Sequence, residues 1–288
     1  MILDNISISP FNNKGDLEFA ANLTQKEGWH SETIRELTTF YSFNSKGCFI
    51  AKNNHEKIGM CIATAYKHTG FIGELIVDKL FRNQGVGKAL METCLSFLSA
   101  QNIETVFLDG VQKAVPLYQD LGFEPLYRSL RLFGQIEAQE SSGVSPMTFH
   151  NLEEIFILDH ALFGDDRSYF LRKRFENYPE LAFVKKSDGK IQSYIFGRVG
   201  RAGWVTAGPW GTSKENENQL SMISHFQSKI GNQPFSIGIL EPRTSILKEL
   251  VLAGMHPRKD PPIRMKLGSG SDIDNHNQSL AIGSPAKG

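Results

Sequence analysis

The sequence predicts an α/β (α+β) fold in two domains, each with a mixed, mostly antiparallel sheet flanked by helices. The chain has 288 residues, which is about twice a typical domain of ~100–150 residues. Its apolar residues repeat with the periods of strands and helices in turn. A polar stretch with Ser-Gly and Ser-Pro pairs separates two halves. We therefore expect a first domain at 1–134, a linker at 135–146 and a second domain at 147–288.

The first half predicts a strand, two helices and a run of antiparallel strands, followed by alternating helices and strands. Ile6 and Ile8 fall in the first strand, which ends before Pro10. Helices are expected near 16–27, 31–40, 85–100 and 114–121, and strands at 48–51, 58–66, 71–77, 106–108 and 130–134. The segment 106–108 is fully apolar, as in strands buried on both faces. This order implies one parallel element in an otherwise antiparallel sheet.

The second half repeats this order of elements without a close sequence repeat, which suggests a duplicated fold. Helices are expected at 152–163, 169–175, 220–230 and 246–252, and strands at 181–184, 191–199, 204–207, 235–240, 263–267 and 280–282. The segment 208–214 is expected to be a turn that contains Pro209 and Trp210. A proline in such a turn removes an N–H that a phosphate cradle would need. We therefore expect no cofactor loop in the second half.

The composition excludes several function classes. Lys plus Arg and Asp plus Glu are both 31, so bulk charge favours neither a nucleic-acid nor a membrane partner. Cys48, Cys61 and Cys94 are far apart, which indicates buried thiols in a reducing compartment. No leader pattern opens the chain, no apolar run approaches the ~20 residues of a membrane span, and the eight histidines show no metal-ligand spacing. We expect a cytoplasmic protein without a metal; the oligomeric state is not determined.

The strongest signal is the stretch from Glu74 to Gly87, in which an apolar strand is followed by the glycine-containing segment 82–88 and then by an amphipathic helix. Gly85 and Gly87 allow a tight turn and a close approach of the backbone to a ligand. The first amides of a helix have no internal partner and lie at its positive end, so this segment predicts a phosphate site. The alternative is a glycine-rich turn that merely starts a helix.

Spacing rejects two other phosphate loops. A nucleoside triphosphate loop requires glycine at position 82 and Ser or Thr at position 89, where this chain has Arg82 and Ala89. A dinucleotide-binding fingerprint requires a third Gly or Ala at position 90, which is Leu90.

Two motifs resemble those of the GNAT superfamily of N-acetyltransferases. Arg82-Asn83-Gln84-Gly85-Val86-Gly87 is similar to its Arg/Gln-x-x-Gly-x-Gly/Ala motif, and Leu75-Ile76-Val77 is similar to the strand before it. Leu117-Tyr118-Gln119-Asp120-Leu121-Gly122-Phe123 resembles the second motif, Leu-Tyr-x-x-x-Gly-Phe. The resemblance covers roughly residues 1–134. The chain is also similar to a bacterial two-domain group in which a divergent copy follows a standard one.

The resemblance implies acetyl-CoA as co-substrate. The amides from Gln84 to Lys88 would bind the pyrophosphate of CoA, and the strand at Ile76 and Val77 would pair with the pantetheine arm. A main-chain N–H of that strand would polarise the thioester carbonyl. The cofactor-binding residues implied are Ile76, Val77, Arg82, Asn83, Gln84, Gly85, Val86, Gly87 and Lys88. Many family members have an asparagine where this chain has Val111, so cofactor contacts differ there.

Catalytic residues follow from the same resemblance and from proton chemistry. Tyr118 occupies the position of the acid that protonates the departing thiolate; the alternative is a half-buried helix tyrosine. An amine acceptor must lose a proton, and Glu74 ranks first as its base because strand alternation places it on the face of Ile76. The alternative is a solvated carboxylate at a strand end, and Asp109 is a second candidate that would bind a charged group of the substrate.

Two residues before a predicted helix of the second half, Asp166 and Arg167, are candidates for recognising a charged acceptor. The alternative is helix capping by the acidic residue. The sequence thus predicts acetyl transfer from acetyl-CoA to the amine of a small molecule. The resemblance implies direct transfer without a covalent acyl-enzyme, and Cys94, on the apolar face of a helix, is a poor nucleophile candidate. The alternatives are a non-catalytic acetyl-CoA sensor and a protein-lysine acetyltransferase.

Overall fold

The computed structural model of the chain describes residues 5–214, 219–270, 273 and 278–288. Its strands are β1 (Ile6–Pro10), β2 (Cys48–Asn53), β3 (Glu56–Ala65), β4 (Thr69–Val77), β5 (Thr105–Gly110), β6 (Glu124–Gly134), β7 (Val144–Pro146), β8 (Phe183–Ser187), β9 (Lys190–Val199), β10 (Val205–Thr212), β11 (Phe235–Leu240), β12 (His256–Pro257), β13 (Ile263–Leu267) and β14 (Ser279–Ala281). Its helices are α1 (Lys14–Lys26), α2 (Ile34–Asn44), α3 (Val86–Ala100), α4 (Val115–Asp120), α5 (Leu152–Phe163), α6 (Ser168–Asn177), α7 (Leu220–Ile230) and α8 (Thr244–Leu252).

The predicted α/β class is confirmed, and the strands form a mostly antiparallel sheet with helices on its faces. The strands join in the order β1-β2-β3-β4-β5-β13-β6-β11-β10-β9-β8-β7, with β12 beside β6 and β14 beside β10. Among the described strands, the parallel pairs are β4 with β5 and β10 with β11. Each half therefore contains the parallel element that its order of strands and helices predicted.

Strand β13 comes from the second half of the chain but lies in the sheet of the first half. It pairs antiparallel with β5 on one side and with the beginning of β6 on the other. The remainder of β6 pairs with β11. Arg264 of β13 is fully buried and donates to Asp109 of β5 at 2.5 Å, so an ion pair fixes this placement. The strand at 263–267, predicted as part of the second domain, thus completes the sheet of the first.

The segment 208–214 is not the predicted turn. Strand β10 continues through Thr212, and its pairing with β9 shifts register between Ala207 and Trp210. Two residues of β10 there oppose one of β9, as in a β-bulge. Pro209 lies in this bulge, so its missing N–H removes no bond of the ladder. Trp210 points into the core and is fully buried. Within the predicted linker, β7 pairs with β8 at the sheet edge.

Because β13 lies in the sheet of the first half, the stability of the first half depends on the second. A fragment of residues 1–134 leaves the facing edges of β5 and β6 without their partner and buries Asp109 without Arg264. We expect this fragment alone to show no cooperative unfolding transition, measured by circular dichroism against denaturant. Residues 135–288 supplied in trans should restore the transition. A cooperative transition in the isolated fragment would contradict this expectation.

Candidate active site

The site begins where the parallel strands β4 and β5 separate. They pair over Thr69–Phe71 with Thr105–Phe107, yet β4 continues to Val77 and β5 to Gly110. Beyond Phe71, β4 keeps its pairing with β3, while its other edge has no strand partner among the described residues. We call this gap the first split.

A bulge in β4 orients Glu74. The register with β3 shifts between Met60 and Ile62, which face Ile76 and Gly73, and Glu74 has a positive φ of 55°. Phe71 and Ile76 pack in the core beneath α1 and α2, although five residues apart. The extra residue of the bulge therefore reverses the alternation, and Glu74 shares the face of Ile76.

A cavity of about 310 Å³ joins the first split to the second half of the chain. Three predicted residues line it together: Glu74, Asp109 and Tyr118. Met91 and Leu108 belong to the core beneath α3, whereas Glu74 faces α2, so the cavity passes through the sheet. Its other lining residues include Trp29, His30, Glu32, Arg131, Arg198, Trp204, Thr206, Ser236, Arg258 and Ser284.

Glu74 is buried without a hydrogen-bond partner. Its side chain is 6% exposed, and its Oε2 atom accepts no hydrogen bond from the described residues. Burial raises the pKa of the Glu74 carboxyl well above its ordinary value. The charge of Glu32 raises that pKa further, while Arg198 and Lys287 oppose the shift. Such a carboxyl takes up a proton more readily than an exposed one, as a general base requires.

Tyr118 lies in α4 against β5. Gly110 makes room for it, because a Cβ atom there would lie 2.7 Å from the Tyr118 ring. Burial raises the pKa of the Tyr118 hydroxyl above its ordinary value, and the neighbouring Cys61 adds to the shift. The phenol therefore holds its proton at neutral pH, as an acid must before it protonates a thiolate.

The Asp109 side chain is buried and hydrogen-bonded to three side chains of the protein. Its carboxylate accepts from Arg264 at 2.5 Å, Ser129 at 2.6 Å and Arg131 at 2.8 Å, and its side chain is fully buried. Burial alone would raise the pKa of Asp109, but the charges of Arg264 and Arg131 hold it below its ordinary value. Asp109 therefore positions Arg131, which lines the cavity and is 17% exposed.

The loop at 82–88 lies at the start of α3, outside the cavity lining. Gly85 caps the helix with a left-handed φ of 83°, and no side chain caps the first turn. Glycine adopts this conformation without strain, and the amides of the first turn have no helical partner. Arg82 is held in place: its Nε donates to the Val77 carbonyl at 2.8 Å, and its guanidinium pairs with Glu27 of α1. Asn83, Gly85 and Lys88 are exposed, and Val86 is buried.

The structure does not bring Asp166 and Arg167 to this cavity. Arg167 is 3% exposed and donates two hydrogen bonds to Asp159, at 2.8 and 2.9 Å. Asp166 accepts from the Ser168 amide at 2.9 Å at the start of α6. These contacts account for both residues within the second half, so we do not carry them into a substrate site.

The second half contains an equivalent gap, between β10 and β11, which pair only over Val205–Ala207 with Phe235–Ile237. The chain itself fills it. Strand β14 pairs with β10, and Ile282 donates to the Gly238 carbonyl at 3.0 Å. Gly208 permits this packing, because a Cβ atom there would lie 2.3 Å from the Ile282 carbonyl.

Several lining residues were missed by sequence reasoning. Arg131 and Arg198 are charged residues among the apolar residues of predicted strands. A charge at such a position was the signal that could have identified them. Glu32 follows α1 in a polar segment, where the sequence carries no signal. Trp204 begins a predicted strand; in the structure it stacks on Phe133, with centroids 4.9 Å apart.

Among the described residues, no group of three or more His, Cys, Asp and Glu side chains could hold a metal ion. No helix within residues 5–214, 219–270 and 278–288 is long and apolar enough to cross a membrane.

Both halves of the chain match sequence models of acetyltransferases. Residues 16–123 match the sequence model of the "Acetyltransferase (GNAT) family", and residues 155–280 match that of an "Acetyltransferase (GNAT) domain". The chain is 26% identical over 140 residues to N-alpha-acetyltransferase 30 of Dictyostelium discoideum, which covers 46% of this chain and 76% of that protein. It is 25% identical over 201 residues to the uncharacterized N-acetyltransferase YitH of Bacillus subtilis (strain 168), covering 67% and 68% respectively.

The fold is similar to a crystal structure of a proposed acetyltransferase from Pyrococcus horikoshii. The TM-score is 0.81 at 20% identity, and the match covers 99% of this chain and 96% of that one. This similarity extends over both halves, so the two-part architecture belongs to the shared fold.

The raised pKa of Glu74 predicts a measurable effect on stability. A carboxyl whose pKa is higher in the folded state destabilises the fold as the pH rises above its unfolded value of about 4.5. Glu74→Gln removes this ionisation. We expect the variant to be more stable than the wild type by on the order of 1 kcal/mol at pH 8, with a smaller difference at pH 4.5. Urea unfolding at both pH values measures this; equal stabilities at pH 8 would contradict it.

Proposed function

Because this chain belongs to the GNAT family of acetyltransferases, we propose that it transfers an acetyl group from acetyl-CoA to the amine of a small molecule. The observation that carries the proposal is the cavity, which joins the first split to Glu74 and Tyr118. A cytoplasmic location is part of the same proposal.

The residues of the first half fit CoA. The uncapped first turn of α3 and the loop with the left-handed Gly85 supply free amides for the pyrophosphate. The loop follows directly on β4, and the free edge of β4 at Ile76 and Val77 supplies backbone groups for the pantetheine arm. Acetyl-CoA, once bound, supplies the activated acetyl group. In the second half, β14 and Ile282 take the corresponding place, which supports a single CoA site in the chain.

Proton transfer is assigned to the two titratable groups of the cavity. Glu74 takes a proton from the acceptor's ammonium group, which frees the lone pair of its nitrogen. Tyr118 gives its proton to the sulfur that leaves, and regains one from the nitrogen as the amide forms. Proximity of the two substrates supplies much of the remaining rate.

Direct transfer is supported by the burial of the cysteines. All three are buried, and burial raises the pKa of the Cys94 thiol well above its ordinary value. Burial, with a contribution from Cys61, raises the pKa of Cys48 to about 12. A thiol that does not ionise is a poor nucleophile.

A small acceptor is favoured over a protein lysine because the cavity is walled on both sides. Its lining includes Trp204, Thr206 and Ser236 of the second half and Ser284 of the C-terminal segment, opposite the first split. A protein substrate would need an open groove along the sheet. This wall is the observation that separates the two alternatives.

Gly85→Glu tests the pyrophosphate site. The added side chain places bulk and negative charge at the start of α3, so calorimetric titration should show acetyl-CoA binding at least about 100-fold weaker than in the wild type. Gly189→Glu is a matched control, because Gly189 also has a positive φ, 76° against 83°. It lies in the exposed turn between β8 and β9 and should leave binding unchanged.

The wild type should bind one acetyl-CoA per chain. Binding that survives Gly85→Glu, or a stoichiometry of two, would place CoA elsewhere. An absence of binding in the wild type would remove the enzyme proposal altogether.

Tyr118→Phe tests the acid. The ring and its packing remain, so the KM for acetyl-CoA should stay within about twofold, while kcat falls about 100-fold. Steady-state kinetics with any accepted amine measures the two parameters. An unchanged kcat would leave Tyr118 as a packing residue of the cavity wall.

A further inference from the structure

Two carboxyl groups of the cavity each have an oxygen without a partner. The Oε2 atoms of Glu32 and Glu74 are buried and accept no hydrogen bond from the described residues. The two residues are 4% and 6% exposed, and both line the same cavity. Buried carboxyl oxygens are almost always hydrogen-bonded, so two such atoms on residues that line one cavity point to a missing donor.

The surrounding cations do not supply that donor. Glu36 accepts from Arg198 at 3.0 Å, and from Arg174 and Lys287 at 3.1 Å. All three cations therefore donate to Glu36, which is absent from the cavity lining, and Arg198 is shared with Glu32.

One carboxyl oxygen of Glu32 is hydrogen-bonded and the other is not. Its Oε1 accepts from Arg198 at 2.8 Å and from Ser31 at 3.1 Å, which fixes the carboxylate and leaves Oε2 for another donor. Glu32 belongs to the segment between α1 and α2, while Glu74 lies in the bulge of β4. Two different elements thus contribute a glutamate to the lining of one cavity.

We propose that Glu32 and Glu74 together bind the ammonium group of the acceptor, which makes the acceptor a cationic primary amine with an apolar or aromatic body. This inference rests on the proposed function, because it assigns the acceptor of the same site. Glu32 is new to that site: it positions the nitrogen, while Glu74 receives the proton.

The charges nearby are consistent with exchange of a proton for the ammonium. The ionisable groups that act on Glu74 are Glu32, Glu36, Arg198 and Lys287. Burial raises the pKa of the Glu74 carboxyl, which favours its protonated form in the empty cavity. An entering ammonium releases that proton to solvent and leaves the net charge of the cluster unchanged. The ammonium then transfers one N–H proton to the Glu74 carboxylate, forming an O–H bond and the neutral amine.

The apolar part of the acceptor is assigned to the aromatic wall of the cavity. Trp29, His30 and Trp204 all line it, and the rings of His30 and Trp204 stack with centroids 5.5 Å apart. Indole rings attract cations and pack against apolar groups. A protonated arylalkylamine combines both features.

The test uses 2-phenylethylammonium as the probe and 2-phenylethanol as its uncharged match, titrated calorimetrically into the full chain without acetyl-CoA. We expect the wild type to prefer the cation at least tenfold. Glu32→Gln and Glu74→Gln should each lose that preference; Glu32→Gln keeps an acceptor for Arg198, so the fold is retained. Asp260→Asn, which removes a charge from the exposed mouth of the cavity, should keep the preference.

Each outcome decides the proposal. Equal binding of cation and alcohol by the wild type, or a preference that survives in either glutamine variant, would overturn it. Acetyl-CoA binding is titrated in the same variants and should be unchanged. A wild type that prefers the cation but binds no acetyl-CoA would sink the proposed function while leaving the ammonium site intact.

Discussion

The structure depends on the requirement that buried backbone N–H and C=O groups be hydrogen-bonded. Two pairs of parallel strands separate after three residue pairs, and each separation leaves strand edges in need of partners. Between β10 and β11 the chain satisfies this requirement with β14 and Ile282. Beyond Phe71, β4 has no such partner from the described chain. The gap between parallel strands is therefore closed by the chain in one half and open in the other, among the described residues.

The buried charges at the first split affect both the stability of the fold and the chemistry of the cavity. Glu36 accepts hydrogen bonds from three cations, which compensate its buried negative charge. Glu32 and Glu74 each keep one carboxyl oxygen without a donor. An uncompensated buried carboxyl costs stability, and such groups persist mainly where chemistry needs them. The bulge of β4 reinforces this view, since it turns Glu74 toward these charges through a strained φ of 55°.

The second half contributes structure to the first in two ways. Strand β13 fills the position between β5 and β6, and its Arg264 compensates Asp109, which in turn orients Arg131 at the cavity. Trp204, Thr206 and Ser236 close the cavity opposite the first split. The second half thus forms one wall of the cavity at the first split.

The sequence alone determined the α/β class, nearly every strand and helix, and the loop at the start of α3, because hydrophobic periodicity and glycine spacing are local properties. It also selected Glu74 and Tyr118, which line one cavity. Only the tertiary structure decided that β13 crosses between halves, that 208–212 continues a strand, and that Arg167 pairs with Asp159 away from the cavity. It also brought Glu32 beside Glu74. These outcomes depend on which edges and charges meet after folding, and such pairings between distant residues leave no periodic trace in one sequence.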